Sequence, residues 1–88
     1  MMWKMGSEIS TSVGKAKLIV VAFLTSENFN AAQSFELYES EKGQCLWYSE
    51  GKRQDNLYST FSRKEAVNGL KKFYDHPVEI TFFPKQEE

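Results

Sequence analysis

Nucleophilic, acid–base and metal chemistry draws most often on cysteine, histidine and paired carboxylates. This chain has one cysteine, Cys45, and one histidine, His76, 31 positions apart. A metal site needs several such ligands at short spacing, and an activated thiolate needs a positioned base. The sequence shows neither pattern. Cys45 sits between Gln44 and Leu46 in a strand-like segment, where a free cysteine reads as a small buried hydrophobe. His76 follows a predicted helix, where a cation meets the negative end of the helix dipole. Glu36 and Glu79 are the carboxylates whose positions put them on one sheet face, but nothing in the spacing brings them together. The glycines at 6, 14, 43, 51 and 69 stand singly and form no phosphate-binding loop. The expectation is a protein that is not an enzyme, with no catalytic residue, metal or cofactor.

The unusual chemistry is aromatic. Seven Phe, four Tyr and two Trp make up 15% of the chain, which a small domain can use for core bulk or for a binding face. Tyr38, Tyr48 and Tyr58 recur at ten-residue intervals. Tyrosine suits a surface that is partly dry and partly wet, because its ring packs while its hydroxyl stays solvated. Lys42, Lys52 and Arg53 lie in the turns between these residues. Bases stacked on the tyrosines, with phosphates held by these cations, would make a single-stranded nucleic-acid site. A net charge of −1 counts against that reading, because phosphate neutralisation dominates nucleic-acid affinity.

The elements that must position these residues follow from periodicity. Residues 1–14 are rich in Ser, Thr, Gly and Met without a period, and read as a flexible leader. Residues 15–25 (KAKLIVVAFLT) read as a strand buried on both faces. Residues 35–40, 44–49 and 57–61 alternate as strands, separated by turns at Gly43 and Gly51. Ser62-Arg63-Lys64-Glu65 is a capping box. After it Ala66, Val67, Leu70, Phe73 and Tyr74 form one helical stripe, which Pro77 ends. Residues 78–83 read as a last strand, and 85–88 as a polar tail. The predicted fold is α+β: a small antiparallel sheet in β-β-β-β-α-β order, with one amphipathic helix on one face and a single domain over residues 15–84.

At 88 residues the chain has room for one core and buries only about 60–65% of its unfolded surface. A lone cysteine allows no internal disulfide, so a cytoplasmic setting is expected. The seven apolar residues of 18–24 are too few to cross a bilayer, which takes about 20. The pattern of Phe35-Glu36-Leu37, Trp47, and Phe61 with Glu65-Ala66 weakly resembles the WGR domain of nucleic-acid-associated proteins. The naming Trp-Gly-Arg triplet is absent, and no residue role is carried over from that family.

Counting faces gives the functional expectation. Phe35, Leu37, Cys45, Trp47, Leu57, Phe61, Val78, Ile80 and Phe82 suit the face that the helix covers. The opposite face collects Tyr38, Leu46, Tyr48, Tyr58, Phe83 and half of the 18–24 run. This is too apolar for ordinary solvated surface, and one helix covers only one face. The expected activity is therefore protein binding, as an adaptor, regulator or inhibitor. The partner would be another protein or a second copy of the chain, with no membrane. The competing expectations are nucleic-acid binding and burial of this face within the monomer by sheet coiling or by the leader folding back.

Overall fold

The computed structural model describes residues 4–25, 33–54, 57, 59–73 and 79–84. Their secondary structure is β1 (Glu8–Thr11), β2 (Gly14–Thr25), β3 (Gln33–Ser40), β4 (Cys45–Ser49), β5 (Lys52–Arg53), α1 (Arg63–Phe73) and β6 (Glu79–Phe83). The fold is α+β, an antiparallel sheet with one helix packed on a face. Strands β1 to β5 are neighbours in chain order, and β6 returns across the helix to pair with β2. Tyr58, Tyr74, His76 and Val78 lie outside the described residues.

β2 organises the sheet. One of its edges pairs with β3 along nearly its whole length, while β1 pairs with residues 14–17 and β6 with residues 21–25. The β2–β3 register slips by one residue between Leu18 and Val20, so Ile19 is the extra residue of a bulge. A bulge bends its strand and shifts the two-residue alternation by one. Leu18 therefore shares a face with Tyr38, whereas Val20, one step further along β3, shares a face with Leu37. This is why the run from Leu18 to Leu24 is apolar at every position: it supplies both faces of the sheet in turn.

The helix-side core contains Val20, Ala22 and Leu24 of β2, Phe35 and Leu37 of β3, and Cys45 and Trp47 of β4, with Leu57, Ala66 and Leu70. Ile19, Ile80 and Phe82 pack at its margin. Trp47 lies edge-on to Phe35 at 6.4 Å, and its indole N–H donates to the Ala66 carbonyl at 3.2 Å. That bond satisfies the ring's one polar group and pins the helix over β4.

The helix starts where its sequence requires. The Glu65 N–H donates to Ser62 Oγ at 3.3 Å, and the Ala66 N–H to the Ser62 carbonyl at 3.0 Å. The first satisfies a first-turn donor that has no backbone partner within the helix, and the second is the first i→i−4 bond of the helix. Ser62→Ala is expected to lower stability by about 0.5–2 kcal/mol. The check is a denaturant midpoint that falls at unchanged slope.

Two local expectations fail. Residues 8–11, part of the expected leader, form β1. Its exposed–intermediate alternation carries a single large apolar residue, Ile9, too faint a signal to register as a strand. Among the described residues of the strand expected over 57–61, Thr60 alone pairs, in one bridge with Cys45, and β5 takes the neighbouring edge of β4. Phe61 lies past that bridge and is 73% exposed, not in the core where alternation placed it.

The opposite face is also closed. Ala16, Leu18, Val21 and Leu46 are all buried there, on the side without the helix. The Arg53 guanidinium donates to Ser12 Oγ at 3.2 Å, joining β5 to the β1–β2 turn. In a flat sheet these residues would stand about 30 Å apart, counting about 4.8 Å between strands and about 3.3 Å per residue. The sheet must therefore coil sharply, and the bulge in β2 supplies a bend. The bond brings the β1–β2 turn to β5, and Ala16, Leu18, Val21 and Leu46 form a second, smaller set of buried residues.

Candidate interaction surface

The strand registers arrange the second face in rows. One row runs Phe83, Val21, Glu36, Tyr48, Arg53 across five strands. The next runs Leu18, Tyr38, Leu46. On the other side, Phe23 lies between Ser34 and Thr81. The tyrosine-face residues named from sequence divide among three situations along these rows.

Leu46 is 1% exposed and belongs to the second core, so it supports the surface from beneath. Tyr38 and Tyr48 are half-buried and meet edge to face at 5.4 Å with an interplanar angle of 82°. Phe83 is 60% exposed at the end of β6, which pairs on one side with β2 and with no other strand among the described residues. The Tyr38 phenol is pushed above its ordinary range, first by burial, then by the charges of Glu36 and Tyr48. It stays protonated at neutral pH and available as a hydrogen-bond donor. The surface left to solvent is thus an aromatic margin around a closed apolar centre.

The cations do not form one track. Lys42 is exposed in the β3–β4 turn, whereas Lys52 and Arg53 follow the β4–β5 turn at the opposite end of β4. Five residues of strand separate the two turns, about 17 Å. Arg53 is also engaged with Ser12.

The groups considered for catalysis stand apart. Glu36 lies opposite Val21 and Glu79 opposite Thr25, on one face but four residues apart along β2, about 13 Å. Cys45 is fully buried, and its thiol is pushed up to about 11, first by desolvation and then by the Glu39 carboxylate. The thiol donates to Glu39 Oε2 at 3.8 Å and is held as the neutral form. Among the described residues, no group of three or more His, Cys, Asp or Glu side chains is placed to hold a metal ion. No helix among them is long and apolar enough to cross a membrane.

Two exposed aromatics were misplaced by sequence reasoning. Phe61 and Phe73, assigned to the buried side, are 73% and 39% exposed. They flank the helix at its two ends, where a side chain can leave the buried stripe. The chain has no significant match among protein-family models, curated proteins or solved structures.

Proposed function

We propose that this domain is a non-enzymatic protein-binding module, acting as an adaptor, regulator or inhibitor, and that its partner docks on the aromatic margin formed by Tyr38, Tyr48 and Phe83. The observation that carries the reading is Phe83. It is a large apolar side chain left 60% exposed on a strand that pairs with β2 alone among the described residues, in the same row as Tyr48. Aromatic side chains of this kind are the usual anchors of protein interfaces. An edge strand beside them offers backbone groups for an added strand. A standard interface takes about 800 Å² from each partner, roughly an eighth of this domain's 6302 Å². The buried, protonated Cys45 and the separated Glu36 and Glu79 favour binding over catalysis. A lone reduced thiol suits a cytoplasmic setting.

Affinity capture from the source cell, with bound proteins read by mass spectrometry, tests the proposal. The wild type should retain a defined protein that Phe83→Ser and Tyr48→Ser each lose, while circular dichroism shows both variants folded. Recovery of the same proteins by folded variants would remove the aromatic margin from consideration. A retained nucleic acid that is released steeply with salt would replace the protein partner by a stacked strand.

A further inference from the structure

The hydrogen-bonding phase of the sheet passes from strand to strand. The Ser40 N–H donates to the Gln44 carbonyl, so Ser40, Tyr38 and Glu36 turn their backbone groups toward β4. Glu39, Leu37 and Phe35 turn theirs toward β2, where they meet Lys17, Val20 and Ala22. Before the bulge, the Leu18 N–H and carbonyl face the other side of β2, toward Ser7 and Gly6. Beyond the bulge the phase is reversed. Val21, Phe23 and Thr25 face β6, and their partners Phe83, Thr81 and Glu79 face back. The N–H and carbonyl groups of Ile80 and Phe82 are therefore directed away from β2. They point to the side of β6 where no strand pairs among the described residues.

That side lacks the usual protection of a sheet margin. Margins are commonly kept short and charged, as at β5, whose two residues are Lys52 and Arg53. β6 is five residues long and carries Ile80, Phe82 and Phe83, with Glu79 as its one charge. Ile80 and Phe82 are half-buried on the helix side, and Phe83 is exposed on the other. Lys71 of α1 reaches over Phe82, with Nζ 5.7 Å from the ring centroid. The margin is thus cationic beside Phe82, aromatic at Phe83 and anionic at Glu79.

Building on the docking role of Phe83 proposed above, we infer that the partner is an extended protein segment added to β6 as an antiparallel strand. It bonds to the N–H and carbonyl groups of Ile80 and Phe82, and carries a carboxylate opposite Phe82 and an aromatic or apolar residue opposite Phe83. Strand addition draws affinity from main-chain bonds and specificity from alternate side chains. A residue opposite Phe82 stands on the helix face, about 5 Å further out, on the side where the Lys71 ammonium lies. A residue opposite Phe83 covers its ring, and cross-strand aromatic pairs are favourable. A basic residue opposite Glu79 completes the register. A second copy fits less well. Self-pairing centred on Thr81, the register that uses the whole strand, sets each Phe83 against a Glu79.

The probe is a fluorescein-labelled peptide with the core Phe-Glu-Thr-Ile-Lys between Gly-Ser flanks, antiparallel to residues 79–83 with its Phe opposite Phe83. Binding is read by fluorescence anisotropy and by amide hydrogen exchange. The peptide should slow exchange at Ile80 and Phe82 and leave Thr81, already turned to β2, little changed. N-methylation of its Glu or its Ile, the residues that bond to β6, should weaken binding at least about tenfold, whereas N-methylation of its Thr should not. Lys71→Glu should reverse the preference for this peptide over one with Lys in place of Glu. No binding at about 1 mM peptide, or a Kd indifferent to the position of the methyl group, overturns the inference. Binding that ignores methylation yet falls in folded Phe83→Ser removes the added strand and keeps the aromatic margin. Binding that follows methylation but not Phe83→Ser removes the aromatic margin and, with it, the register. Protection of Ile80 and Phe82 in the free protein that rises with its own concentration puts a second copy on β6 and overturns the peptide partner.

Discussion

Trp47→Ala should lower the stability of this domain by about 3–5 kcal/mol, the usual cost of truncating a buried Trp or Phe. Trp47 is the largest of the fully buried side chains. Its loss removes the edge contact with Phe35, the indole bond to Ala66 and most of the material between α1 and β4. An 88-residue domain has about 4–13 kcal/mol in total, at roughly 0.05–0.15 kcal/mol per residue. The variant should therefore be partly unfolded at 25 °C or close to it. Urea titration followed by far-UV circular dichroism reads this directly. A loss below about 1 kcal/mol would mean that the helix does not depend on β4.

Leu46→Ala gives the second large effect, about 2–5 kcal/mol, and it decides the character of the face without the helix. Leu46 is 1% exposed, so truncation leaves a cavity. Phe83→Ser on the same face should change stability by no more than about 1 kcal/mol, because its ring is already largely in water. The contrast separates the centre of this face from its margin. Equal, small losses for both would show that Leu46 is not buried in solution.

Much of the architecture was legible because it rests on local rules. The capping box at Ser62 placed the helix start correctly, since a side-chain acceptor three residues before a backbone donor is a short-range device. Alternation assigned Phe35, Leu37, Cys45 and Trp47 to one face, where the core has them. The continuous run 18–24 was read as buried on both sides, and Val20 and Val21 are both fully buried on opposite faces. What sequence could not show is curvature. The bulge at Ile19 is one extra residue in an apolar run, and a two-residue period cannot reveal on which side of such a run the phase changes. The contact between Arg53 and Ser12 spans 41 positions and depends on that bend. Without it Leu46 counts as exposed, and the whole tyrosine face looks in need of outside cover. β1 was missed for a related reason: a short edge strand buries little and needs little hydrophobic patterning.

The place of β6 has a consequence for how the chain is made. Its partners on β2 lie 54 to 62 positions earlier, whereas β1 with β2 and β3 with β4 join across short turns. Loop closure disfavours the distant pairing until the helix has brought the ends together. A ribosome adding about 5–20 residues per second needs several seconds to travel from Thr25 to Phe83. Through that interval the emerging chain carries the edge of β2 from Val21 to Leu24 without its native neighbour. A nascent chain stalled before Glu79 would display an apolar strand edge of the kind that chaperones bind and that aggregates recruit.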